Sequence, residues 1–217
     1  MKGVKIAVDV AKSAKEAVKE QKEDTKKRMG LVMRDLRRDV PAVVANAVSA
    51  KYNIKTSEMK PPYVKTSVDK TGKKKSTAKA AKVRIEGEEI GNMSLVYEGR
   101  PLTAGRFKMN PKRPVKAKGK KGNKKREKVQ VTAEIQKGRR TVVQAPRKHS
   151  GGRVFVQNIK GVMQAVYTED VKSRDIGGIV KTLSVPVMID QDDVRKVIDK
   201  GINERVGRSV KRFFKDD

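Results

Sequence analysis

The feature that most constrains the fold is an apolar stripe in the first quarter of the chain. Met29, Val32, Met33, Leu36, Val40, Val43, Val44, Ala47 and Val48 recur at steps of three and four. That period puts them on one side of an α-helix. Lys and Glu fill the opposite side, so the helix must bury its stripe against a neighbour. The expected helix runs from about Val10 to Ala50. Val4, Ala7, Ala11, Ala14 and Val18 extend the stripe more weakly. Pro41 either kinks one long helix or opens a second, with Asp39 as its cap. The helix should end near Tyr52 and Asn53, since Pro61-Pro62 forbids its continuation. The small Ala47 permits close approach of a second helix, so contact is expected near Val43, Ala47 and Val48.

A matching stripe closes the chain. Val194, Val197, Ile198, Ile202, Val206, Val210 and Phe213 predict a helix from roughly Gln191 to Phe214. Asp190 suits its N-cap, Asp192 and Asp193 its first turn, and Lys211, Arg212 and Lys215 its C-terminal end. Between the helices the period shortens to two. Strands are expected at 82–86 and 93–97, flanking a turn, and at 106–109, 128–136, 141–145, 154–159 and 163–167. The fold class is therefore α+β. It comprises a long N-terminal helix, an antiparallel sheet of about six strands with a basic insertion loop, and a C-terminal amphipathic helix. Within one structural domain, 1–52 is the helical region and 53–81 a basic connector. Residues 82–189 form the strand-rich region with a Lys/Gly-rich insertion at 111–127, and 190–217 the closing helix.

Charge narrows the function. Lys and Arg number 54 against 25 Asp and Glu, a formal net charge of +29 on 217 residues. The densest cluster is Lys116, Lys118, Lys120, Lys121, Lys124, Lys125, Arg126 and Lys128, opposed by Glu127 alone. Such a charge favours a polyanion or an acidic protein surface. No aromatic residue interleaves the cluster, so contact with nucleic acid would run through phosphates and be salt-sensitive. The bland alternative is a solubilising insertion.

Chemistry is scarce. With no Cys and one His, His149, neither a Cys–His nucleophile nor an adequate zinc ligand set exists. Glu86, Glu88 and Glu89 read as a solvated turn. Gly151-Gly152 and Gly177-Gly178 open no phosphate cradle. We therefore expect no enzyme, no cofactor and no metal. Met1 to Val10 alternates charge with Val and Ile, unlike a signal peptide. No run approaches a membrane span, so a soluble protein made in the cytosol is expected, with no membrane partner. Val32, Leu36, Val43, Ala47, Val194, Ile198, Ile202, Val206 and Val210 are candidates for core or subunit packing.

The second half carries a familiar order of elements. Arg100-Pro101-Leu102 leads to Phe107 and a basic strand pair. Arg153-Val154-Phe155-Val156, a Gly161-Val162 turn and a strand into Tyr167 follow. Then come the Ile179–Met188 stretch with Leu183-Ser184-Val185-Pro186 and a terminal helix containing Glu204-Arg205-Val206. From about Asp24 to Phe214 this order resembles the minor tail protein Z, or tail completion, family of tailed bacteriophages. The Lys116–Lys128 insertion and the Met1–Lys22 extension depart from that pattern. The resemblance implies a structural virion protein of the tail or neck, in the host cytoplasm during assembly. It implies a homo-oligomeric ring, a hexamer, at the head-proximal end of the tail. Its partners would be tail terminator or tail tube proteins, head–tail connector proteins and viral DNA through its backbone. The rival is a cellular nucleic-acid-binding protein, ribosomal or nucleoid-like. A toxin or nuclease lacks its His/Asp/Glu constellation.

Overall fold

The computed structural model describes residues 4–7, 23–68, 71–114, 129–170, 172 and 175–214. The protein is α+β. It divides into two compact units, one from Met1–Lys51, Lys55–Arg100 and Ser184–Asp217, the other from Tyr52–Ile54 and Pro101–Leu183.

In the first unit, α1 spans Glu23–Lys51 and runs through Pro41 as one helix. Pro41 lacks the N–H that would meet the Arg37 carbonyl. Its partners nevertheless hold the helix together, because Val32, Leu36, Val40, Val44 and Val48 have no exposed surface. Asp39 is therefore not a cap but an interior helical residue. Residues 8–22, with Ala11, Ala14 and Val18, lie outside the described residues. Val4–Ala7 does not extend the helix. It forms strand β1, paired antiparallel to the Ser94–Gly99 strand with Val4 opposite Tyr97. The ladder with its partner satisfies its backbone.

The 53–81 segment is more than a connector. It contains β2 (Val64–Val68) and β3 (Lys74–Ala78), a two-stranded antiparallel ribbon. The Tyr63 hydroxyl donates to the Val83 carbonyl, and Lys79 N donates to the Tyr63 carbonyl at 2.9 Å. The ribbon is thus anchored at its base. β4 (Ala81–Glu86) and β5 (Ser94–Gly99) form the expected hairpin, and with β1 a sheet of order β1-β5-β4. Ala81, Val83 and Ile85 alternate inward on β4, which packs against α1.

Closing the unit are α2 (Val185–Ile189) and α3 (Asp192–Phe213). The Leu183–Met188 stretch thus includes a short helix. Pro186 fits the first turn, and the Ser184 hydroxyl accepts from Val187 N at 3.5 Å. Gln191, not Asp190, is the N-cap of α3. The Asp190 carboxylate instead accepts from the Tyr97 hydroxyl at 2.5 Å. α3 lies antiparallel on α1, because Lys51 pairs with Asp193 at 2.6 Å while Arg28 reaches the Phe213 carbonyl at 3.3 Å. Val194, Ile198, Ile202 and Val206 are buried, and Val210 and Val43 are half-buried. A Cβ on Gly201 would stand 2.6 Å from Val43 Cγ1, so glycine permits the close helix approach at that level.

The second unit holds two three-stranded antiparallel sheets. One has the order β6-β7-β8, from Lys108–Asn110, Thr132–Gln136 and Arg139–Val142. The other has the order β11-β10-β9, from Ile176–Ile179, Val162–Thr168 and Val154–Ile159. The expected single sheet of about six strands is thus several small sheets. The alternating segments fall into two units, so no one ladder joins them. Strand β11 is absent from the sequence expectation, since Gly177-Gly178 weakens strand propensity. Those glycines lie under the Tyr167 ring, where a Cβ at Gly177 would be 2.8 Å from Tyr167 Cε2. Leu102, Phe107, Met109, Val131, Ala133, Val156, Ala165, Val166 and Val180 form the core, with Tyr52 and Ile54 beside them.

Candidate polyanion-binding face

The α1–α3 packing brings two short runs of charge together. On α1, Asp35, Arg38 and Asp39 follow the i, i+3, i+4 spacing that places them on one face. On α3, Arg205, Arg208, Ser209 and Arg212 do the same. Because the helices are antiparallel, both runs line one groove of about 190 Å³.

Its geometry is a chain of shared carboxylates. Arg38 Nε donates to Asp39 Oδ1 at 2.9 Å, and Arg205 Nη1 donates to Asp39 Oδ2 at 3.0 Å. Arg38 Nη2 lies 3.2 Å from Asp35 Oδ1, and Arg212 Nη1 lies 3.5 Å from Asp35 Oδ2. Arg208 Nη2 is 3.9 Å from Glu204 Oε2, at the loose limit of an ion pair. The hydrogen bond from Arg38, with the nearby Arg205 charge, holds the Asp39 carboxyl below the usual carboxylate range against a smaller opposing effect of burial. The Asp35 side chain is only 7% exposed, whereas Arg38, Arg208 and Arg212 are 64%, 64% and 68% exposed. The carboxylates therefore sit at the base and the guanidinium groups at the rim.

Four guanidinium groups against Asp35, Asp39 and the flanking Glu204 still leave a positive excess. Each guanidinium carries five N–H donors, and three carboxylates cannot occupy them all. The rim suits a planar or tetrahedral oxyanion, such as phosphate, bound through paired N–H groups. Exposed Lys26, Lys27, Arg34 and Arg37 continue the positive charge on α1. Of the groove's ion pairs, Arg205–Asp39 and Arg212–Asp35 also tie α3 to α1, though ion pairs this exposed contribute little to stability.

The basic cluster Lys116, Lys118, Lys120, Lys121, Lys124, Lys125, Arg126 and Lys128 lies outside the described residues. Val32, Leu36 and Ala47 on α1 and Val194, Ile198, Ile202 and Val206 on α3 are buried, with Val43 meeting Gly201. Sequence reasoning misses the groove's own residues. A signal exists in the arginines at i, i+3 and i+7 along the polar face of the last helix. In the sequence alone, Lys211 and Arg212 there stand out only as a C-terminal charge preference.

Elsewhere, His149 lies 5.2 Å from the Tyr167 ring, tilted 33°, with Nδ1 3.3 Å from the Glu169 carbonyl. These two neighbours pack the imidazole and bring no carboxylate to it. Among the described residues, no group of three or more His, Asp or Glu could hold a metal ion, and no helix is long and apolar enough to cross a membrane. Compared with protein-family models, curated proteins and solved structures, the chain gives no significant match.

Proposed function

We propose that this chain is a non-enzymatic structural protein of tailed phages. On this reading it is a tail completion or neck subunit that forms a ring, a hexamer, at the head-proximal end of the tail. It would join tail tube or terminator proteins to the head–tail connector around the DNA channel. The observation that carries the reading is the antiparallel α1–α3 pair. It unites the two ends of the chain in one unit and sets a cationic groove along their joint. A subunit around DNA gains from positive charge that is fixed on rigid helices, because fixed charge loses little entropy on contact. The order of elements from Arg100 to Phe214 agrees with this reading.

Native mass measurement and negative-stain imaging of the purified protein test it, together with mass spectrometry of phage particles. Rings without nucleic acid, and the chain recovered from virions, are the expected results. A protein that stays monomeric at assembly concentrations, is missing from particles and shifts DNA at low salt would instead support the second reading. That reading is a ribosomal or nucleoid-like nucleic-acid-binding protein, and the arginine rim of the groove favours it equally.

A further inference from the structure

The β2–β3 ribbon is a second cationic feature, separate in structure from the α1–α3 groove. Its two strands pair over five residues each, from Val64 opposite Ala78 to Val68 opposite Lys74. They form a sheet of their own, with no third strand among the described residues. Thr66, Ser67, Lys74, Ser76, Thr77 and Ala78 are exposed, and Val64 and Val68 are 50% and 62% exposed. A lone two-stranded hairpin is marginal in water, and this one buries little of itself. Its base is fixed by Tyr63 and Lys79, the latter also donating from Nζ to the Lys60 carbonyl at 2.7 Å.

The sequence loads this arm with charge. Between Val64 and Ala78 stand Lys65, Lys70, Lys73, Lys74 and Lys75 against Asp69 alone. Lysine on an exposed strand also discourages edge-to-edge aggregation. Edge protection, however, does not require the consecutive run Lys73-Lys74-Lys75 at the turn end of an arm. The dimensions favour a different occupant. Two strands about 4.8 Å apart, each about 17 Å long, fit the major groove of duplex DNA, which is about 12 Å wide and admits a two-stranded ribbon. The arm has Lys, Ser and Thr, which serve phosphates and bases alike, but no Arg, Asn or Gln and no aromatic ring to stack on bases.

We infer that the β2–β3 ribbon is a sequence-neutral duplex-binding arm, its lysines serving the phosphates that border a groove of double-stranded DNA. The inference goes beyond the tail reading and does not depend on it, since a ring protein and a nucleoid protein could each carry such an arm.

The test uses the full chain and a duplex of about 30 base pairs of mixed sequence, with affinity measured from about 50 to 200 mM salt. In the variant Lys65→Gln, Lys73→Gln, Lys74→Gln, Lys75→Gln the slope of log affinity against log salt should fall by about three to four. The affinity lost across that salt range should correspondingly shrink by about a hundredfold. A variant with Arg at the same four positions should keep the slope, which separates loss of charge from loss of fold. AT-rich and GC-rich duplexes should bind within a few-fold of one another. An unchanged slope in the Gln variant, with the fold intact by circular dichroism, would make the lysines edge protection and overturn the inference. So would a wild-type protein that fails to bind duplex at the lowest salt. Ring formation by the same proteins without DNA is scored separately and reports only on the tail reading.

Discussion

Two glycines of α3, six residues apart, should respond oppositely to the same substitution. Gly207 is exposed, with no atom within 4 Å of where its Cβ would be. Gly207→Ala should therefore stabilise the protein by up to about 1 kcal/mol, the helix-propensity difference. A Cβ at Gly201 would stand 2.6 Å from Val43 Cγ1, and valine is stiff at χ1, so the neighbour cannot swing aside. Gly201→Ala should cost about 1 to 2 kcal/mol net, as overpacking outweighs propensity. Adding Val43→Ala should recover part of that loss, a coupling that urea unfolding of the double variant would read. Additive losses would mean that the two side chains do not meet. Ile202, fully buried one position on, tests the cavity side: Ile202→Ala should cost about 2 to 4 kcal/mol. In the groove, Asp39 adds a pH dependence. Asp39 titrates lower when folded, so its contribution is present above the ordinary carboxylate range and is lost as pH falls through and below it. Asp39→Asn should flatten the acid side of the stability curve below about pH 5, and parallel curves for the two proteins would contradict this.

At the scale of elements, one side chain ties the β1-β5-β4 sheet to the α2–α3 junction. Tyr97 of β5 is fully buried in its residue surface and donates to Asp190 between the two helices. Burial first, then the Asp190 carboxylate, raises the Tyr97 hydroxyl well above the usual tyrosine range. A group raised on folding contributes fully below its unfolded value and loses that contribution as pH rises past it. Tyr97→Phe should thus cost about 1 to 2 kcal/mol near neutrality. It should also remove a loss of stability that the wild type shows above about pH 10. Unfolding midpoints from about pH 8 to 11, spanning the ordinary tyrosine value, would decide. An identical alkaline decline in both proteins would argue against the hydrogen bond.

What the chain discloses of these elements follows the strength of its periodicity. The two long stripes are readable because a three-to-four spacing over many residues admits one answer. So is the β4–β5 hairpin, where Val83 and Ile85 face inward while Arg84 pairs with Glu86 and Glu98. The strand at Ile176–Ile179 is hidden by glycines whose reason is tertiary, the Tyr167 ring. The helical turn at Val185–Ile189 is hidden by β-branched residues that a Ser cap and Pro186 override. Val4–Ala7 is too short for period two and period 3.6 to be told apart. The arginine groove needs the pairing of elements more than 140 residues apart, as the Lys51–Asp193 ion pair shows, and no local pattern encodes that.

Over the whole molecule, the excess of +29 must be offset by something bound, or else stand as self-repulsion. The Lys116–Lys128 cluster holds the largest local share. If it faces DNA, replacing Lys120, Lys121, Lys124 and Lys125 with Gln should leave the fold intact, because each change keeps chain length and polarity in a Lys/Gly-rich segment. Removing one phosphate partner should then lower the salt slope of duplex binding by about 0.9. Where these substitutions and those in the β2–β3 ribbon share no phosphate partner, their effects should add in a combined variant. Additive slopes would mean that the DNA path runs over both segments. A slope that falls with the ribbon and not with the cluster would leave the cluster to an acidic protein neighbour. On the tail reading, a salt titration of particle assembly would then expose it, as weaker head–tail joining in the cluster variant with DNA affinity unchanged.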